Sequence, residues 1–195
     1  MTYPNRQHNG FTLIELMIVI VVTAILIGIV LPNSSASLYE QLRSASQILQ
    51  YDIAYARSLA TSNASTYRIA FDTTNNKYTL THVGTNPNLN VLPDSAFLNE
   101  DEPDDQHTTN LHELLGLTNV KLLGIVETDG IKQIRSLEYL EFGPLGETTT
   151  RGNTEIWLQS GPEDDQRYIS VTVNPVTGLT TIGPFTAKRP SLSFY

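Results

Sequence analysis

Cysteine is absent from the 195 residues, which removes disulfides, thiol nucleophiles and thiolate metal sites together. Oxidising compartments permit disulfides without requiring them, so the absence leaves the compartment open. Cations are scarce, 12 Lys and Arg against 20 Asp and Glu, for a formal net charge of -8. A broad footprint on nucleic acid wants clustered Lys and Arg to displace counterions, so the balance argues against nucleic acid as a partner. Catalytic signatures are missing too. There is no G-x-S-x-G and no phosphate-cradling glycine loop, and "HELLG" from His112 has Gly116 where a zinc-protease motif needs its second His. His107 and His112 have no recognisable metal partners, and the chain reads as a non-enzyme.

Charge of either sign is also lacking from Leu16 to Leu31. With Phe11 to Glu15 the apolar stretch runs to about 21 residues, roughly 31 Å as helix, enough to cross a hydrocarbon core of about 30 Å. The competing reading, a cleaved secretory signal, needs a shorter core and a small-residue cleavage site. Here Ile29, Val30, Leu31 and Pro32 follow instead. Arg6 precedes the run and the next cation, Arg43, lies well beyond it, which puts the N-terminus in the cytoplasm and the remainder outside.

After Pro32 the apolar pattern becomes one-sided. Leu38, Leu42, Ala45, Leu49, Ile53, Ala56 and Leu59 recur at spacings of three and four, the mark of an amphipathic helix. Residues 32–62 are therefore read as a continuation of the 11–31 helix, with Pro32 a kink and a break at Asn33–Ser35 the alternative. From Tyr67 the period falls to two, and "DTTNNK" separates two runs as the turn of a β-hairpin. A polar stretch at about 84–113 reads as a long acidic loop. Strand-like runs resume at "VKLLGIVE", "LEYLEFG", "TEIWLQSG", "RYISVTVN" and "GLTTIG". The expected class is α+β: a long N-terminal helix packed on an antiparallel sheet, or on two sheets, formed by residues 63–195.

One carboxylate, Glu15, interrupts the start of the apolar run. An acid at mid-membrane costs about 2.5–3.5 kcal/mol on insertion scales and less at the edge, unless it pairs or protonates. Snorkelling at the interfacial edge is the plain explanation. The junction "G-FTLIEL" and the apolar helix behind it resemble the processing and assembly signature of type IV prepilins and of type II secretion pseudopilins. That resemblance implies a cytoplasmic leader, residues 1–10, removed after Gly10 by a prepilin peptidase, and N-methylation of the new terminus at Phe11. Glu15 becomes the fifth residue of the mature chain and pairs with the Phe11 amine of a neighbouring subunit, an assembly contact that sets helix stagger.

Further along, "QILQYDIAYARSLATSNASTYRIAFD" looks like the helix end of the GspH/FimT branch, with its Ala56-Arg57 pair before the first strand. "LEFGPLGETTTRGNTEIWLQSG" and "RYISVTVNPVTGLTTIG" resemble that branch's closing strands. The resemblance implies a pilin-like minor pseudopilin, assembled near the tip of a type II secretion pseudopilus. Its partners would be other pseudopilins, the prepilin peptidase and the inner-membrane assembly platform, with the head in the periplasm. A minor pilin of a type IV pilus shares every N-terminal feature, and a filament-displayed receptor for DNA or another ligand is the reading from another class. The tail carries only Lys188 and Arg189, thin for DNA capture. Arg57 itself is read as a snorkelling cation, with a functional contact the alternative.

No cofactor is called for. Carboxylates crowd "NEDEPDD", where Asp101, Asp104 and Asp105 are weak calcium candidates, and "GPEDD" at Glu163–Asp165. Neither run has the ligand alternation and central Gly of an EF-hand loop, and solvated acidic loops are the plain reading.

Overall fold

The computed structural model describes residues 12–30, 38–93, 103–114, 116–129 and 133–192, with 25–30 and 133–134 as backbone alone. The chain divides into two compact units, Met1–Ser35 and Ala36–Tyr195. Gly10, Phe11, Pro32 and Asp101 lie outside the described residues, as do the leader and the expected kink.

The first unit holds helix α1, Leu13–Val30. Eighteen residues rise about 27 Å, a little less than a bilayer's hydrocarbon thickness. Among the described residues no helix is long and apolar enough to cross a membrane. From Leu13 to Val22 the large apolar side chains are all exposed. The hydroxyl of Thr23 donates to the Val19 carbonyl one turn back, so this polar group is satisfied inside the helix.

The second unit is built on α2, Leu38–Ser62. The stripe read from the sequence is the one that packs: Leu42, Ala45, Leu49, Ile53 and Ala56 are fully buried and Leu59 nearly so. The helix ends in paired turn bonds, Ser65 N–H to Ala60 O at 3.1 Å and Ala64 N–H to Thr61 O at 3.4 Å. Ala64 takes φ +46°, the left-handed conformation that such an ending requires.

Among the described residues nine strands follow: β1 Tyr67–Asp72, β2 Lys77–His82, β3 Gln106–Asn110, β4 Val120–Thr128, β5 Gln133–Leu137, β6 Tyr139–Phe142, β7 Asn153–Ser160, β8 Arg167–Val173 and β9 Thr180–Ile182. They form two antiparallel sheets, β3-β2-β1-β6 and β5-β4-β7-β8-β9, and α2 packs on strands of both. The sequence had left one sheet or two open. Two strands escaped it. The segment read as a loop at 84–113 contains a short 3-10 turn at Pro87–Leu89 and the edge strand β3, which pairs with β2 from Lys77↔Asn110 to Thr81↔Gln106. Strand β3 reads "QHTTN" and carries no apolar residue, so alternation had nothing to report. The edge strand β5 was also missed; four of its five residues pair with β4, across a register shift between Glu127 and Thr128.

The core cluster runs from Leu42 to Val173, wholly inside the second unit, so the head 36–195 carries its own interior. One buried amide joins the two sheets. Asn76 closes the β1–β2 turn at φ +56°. Its Nδ2 donates to Val120 O at 2.8 Å and its Oδ1 accepts from Leu122 N–H at 2.6 Å. Replacing it by Ala removes both bonds, orphans a buried donor and acceptor, and leaves a Cβ residue in the left-handed region without the side chain that holds it there. Asn76→Ala should destabilise the head by on the order of 3 kcal/mol, while Asn76→Gly, which relieves only the backbone, recovers a minor part. Urea denaturation of the two variants beside the parent checks the ordering.

Candidate functional site

Glu15 is the one predicted site residue of the N-terminal segment that the structure describes, and it has a local reason for its position. Thr12 stands at the start of α1, and its Oγ1 accepts from Glu15 N–H at 3.3 Å while its carbonyl takes Glu15 N–H at 3.1 Å and Leu16 N–H at 3.2 Å. Thr12-Leu13-Ile14-Glu15 is thus the T-x-x-E pattern of a capping box, with the acid at the third helical position. An anion in the first turn is favoured by the helix dipole. The carboxylate therefore gains from the helix while its apolar neighbours Leu13, Ile14, Leu16 and Met17 stand exposed around it. The pattern was legible in "FTLIEL" and went unread because the resemblance had already supplied a role for the acid.

In the head, Arg57 is half-buried and makes a contact that neither sequence reading specified. Its Nε donates to Thr177 O at 2.7 Å, tying the end of α2 to the β8–β9 turn. Gly178 and Gly146, at φ +64° and +82°, lie against it. A Cβ on Gly178 would stand 2.1 Å from Gly146 O and 2.8 Å from Arg57 Cδ, so glycine is required there for space as well as backbone. Arg57 is a staple.

Asp52 was not singled out from the sequence. It lies on α2 between buried Leu49 and Ile53, and one oxygen, Oδ2, accepts from Tyr78 Oη at 2.5 Å and from Thr109 Oγ1 at 3.1 Å. It therefore joins the helix to β2 and the edge strand β3. A small cavity of about 90 Å³ opens beside it, also lined by Glu113 and Asn110. Burial pushes its carboxyl above the usual range, against the lowering effect of the two hydroxyls and of His107. Tyr78 is raised well above its ordinary value by burial and by the Asp52 charge.

Glu127 is the contrasting case. It is 3% exposed, yet its Oε1 accepts the N–H groups of Arg151 and Gly152, both at 2.8 Å, and its Oε2 takes Arg135 Nε at 2.6 Å. Burial opposes its charge, but the Gly152 amide, the Arg135 guanidinium and the Arg151 amide outweigh it and hold the carboxyl below the usual range. These contacts build a loop and leave no free chemistry.

Of the calcium candidates, Asp101 lies outside the described residues. Asp104 and Asp105 sit exposed in a turn before β3, where the Asp104 carbonyl accepts from Leu92 N–H at 2.8 Å. Asp165, in the 3-10 turn Glu163–Asp165, pairs with Arg167 at 2.6 Å. Among the described residues no three His, Asp or Glu side chains converge as a metal site. In "HELLG", His112 and Glu113 lie in a turn and Gly116 takes φ +81°. His107 is held by Pro93 O at 2.9 Å.

Residues 5–31 match the prokaryotic N-terminal methylation motif, the motif of prepilin-type proteins. The match takes in the Gly10/Phe11 junction, Thr12, Glu15 and all of α1, and none of the head. No curated protein matches the chain. Among solved structures, the type IV minor pilin FimU of Pseudomonas aeruginosa strain PAO1 aligns in two crystal forms. The P21 form is 17% identical with a TM-score of 0.46, over 77% of this chain and 92% of that one. The P65 form is 18% identical with a TM-score of 0.44, over 77% and 98%.

The Asp52 network gives a pH signature. Its carboxyl titrates higher in the folded head than in the unfolded chain, so the folded state holds that proton more tightly. The associated stability is complete below the ordinary aspartate value of 3.8 and is lost as pH rises through the raised folded value. Asp52→Asn, which keeps an acceptor for Tyr78 and Thr109, should gain on the parent as pH climbs from 4 to 7. Thermal melts of both proteins across that range read the difference; a constant offset contradicts the assignment.

Proposed function

We propose that the chain is a minor pseudopilin: a structural subunit, processed after Gly10 and N-methylated at Phe11, built near the tip of a type II secretion pseudopilus. The observation that carries this reading is Glu15, the single acid in the first turn of an otherwise apolar, exposed helix, inside a matched N-terminal methylation motif. A helix so apolar on all sides needs lipid or other such helices around it. Before assembly α1, extended by its apolar flanks at Phe11 and Leu31, anchors the precursor in the inner membrane, with the leader cytoplasmic and the head periplasmic. In the filament the same surface packs against neighbouring pseudopilins, delivered by the inner-membrane assembly platform.

The Phe11 amine exists only after cleavage. It supplies a cation for the Glu15 of a neighbour, and two groups costly alone in apolar surroundings then fix the stagger between helices. The head takes no part in covalent chemistry; its role is to project from the filament. The reading as a minor subunit is supported by the helix end around Ala56-Arg57 and by the closing strands, which resemble the GspH/FimT pattern; the choice of pseudopilus over pilus rests on the export experiment below.

Two experiments test the proposal. Glu15→Ala should leave peptidase processing intact, seen as an unchanged mature N-terminus, while co-purification with partner pilins falls at least tenfold; full recovery in the assembled filament contradicts the pairing. In a strain lacking the chain, export of secreted proteins should fall while pilus-driven motility persists. The reverse result assigns the subunit to a pilus.

A further inference from the structure

Between the β1–β2 turn, the β3–β4 connection and strand β4, the head opens a cleft of about 510 Å³. Its walls carry Thr73 and Thr74 from the turn, His112 from the connection, Lys121 and Leu123 from β4, and Gln159 from β7. Among the described residues no carboxylate lines it, in a chain whose acids outnumber its bases by 20 to 12. The two acids adjoining the lining residues are turned to other work. Asp72 accepts Thr74 N–H and Asn75 N–H at 3.1 and 2.9 Å within its own turn. Glu113 accepts from Asn110 Nδ2 at 2.9 Å and lines the separate cavity beside Asp52.

Two features make this cleft a built one. Asn76 bonds Val120 O and Leu122 N–H, the backbone groups on either side of Lys121, and so fixes the strand from which the exposed lysine projects. Lys121 forms no ion pair among the described residues. Beside it the β4–β7 register jumps from Leu122↔Leu158 to Gly124↔Trp157, which leaves Leu123 as the extra residue of a bulge. A bulged residue drops out of the ladder, and here its strand position opens on the cleft.

We propose that this cleft binds a small oxyanion, the carboxylate or phosphate group of a ligand. Lys121 supplies the charge, and His112, Gln159 and the two threonine hydroxyls supply hydrogen bonds around it. Every residue named in the site belongs to the head 36–195.

The test is an amide chemical-shift titration of the ¹⁵N-labelled head 36–195 with inorganic phosphate, sodium glucuronate and neutral glucose at constant ionic strength. Phosphate or glucuronate should give saturable shifts centred on Thr74, His112 and Leu123, and glucose none. Lys121→Gln should weaken the affinity at least fivefold, whereas Lys188→Gln on the tail, which makes the same change in net charge, should leave it unaltered. Response to phosphate alone assigns a phosphorylated ligand, and response to glucuronate alone a carboxylated one. Absence of saturable shifts with both anions, or equal weakening by the two lysine variants, overturns the site.

Discussion

The head depends on one burial: the apolar stripe of α2 set against strands of two sheets at once. Leu42, Ala45, Leu49, Ile53 and Ala56 are all at 0% exposure, and two alanines are set among the large residues of the stripe. The alanines let the backbone approach the strands while the branched side chains fill the space between. Truncating one such Leu or Ile in a packed interior costs about 2–5 kcal/mol, a large fraction of a domain's net stability. Because the helix contacts both sheets, its position fixes theirs.

Burial alone does not fix register, and polar side chains in the head supply what it lacks. Asn76 holds a hairpin of one sheet to β4 of the other. Asp52 holds the helix to β2 and to the polar edge strand β3. Arg57 holds the helix end to the β8–β9 turn. Each reaches a group far away in sequence, so each contributes only once the fold is nearly formed, and each would be costly if its partners were absent. The two buried acids show how environment decides the balance. Glu127 has two amides and a guanidinium and keeps its charge readily; Asp52 has hydroxyls on one oxygen and a charge opposed by burial.

What was legible in the sequence follows from the same division. Periodic burial is written locally, so the spacing from Leu42 to Leu59 gave α2, and alternation gave β1, β2, β4 and β6 to β9. Strand β3 was illegible because its stability comes from pairing: a ladder with β2, a Thr79–Thr108 hydroxyl contact at 3.0 Å, and Thr109 on Asp52. Turn chemistry marked Asn76 as a turn residue, but its reach to Val120 and Leu122 depends on topology. Arg57 was placed on the surface by base rate, and nothing local distinguishes a solvated arginine from one whose acceptor lies 120 residues on. At the N-terminus the case reverses. The Thr12–Glu15 cap was written in four adjacent residues and needed no fold to be read.

That cap bears on how an acid survives at the start of an apolar helix. A carboxylate at the third helical position gains from unsatisfied amides and the dipole whether or not a neighbour is present, by about 0.3–1 kcal/mol when exposed. The same group in hydrocarbon loses more than that unless a cation arrives. The balance therefore tolerates Glu15 at a membrane edge without rewarding its burial. In the proposed filament a neighbour's terminal amine would offset that desolvation cost for both groups and make the position selective. Placed a turn deeper, the acid would lose the cap and the dipole; placed before the helix, it would sit outside the apolar packing that makes pairing selective. In the proposed filament, the third helical position satisfies both demands at once.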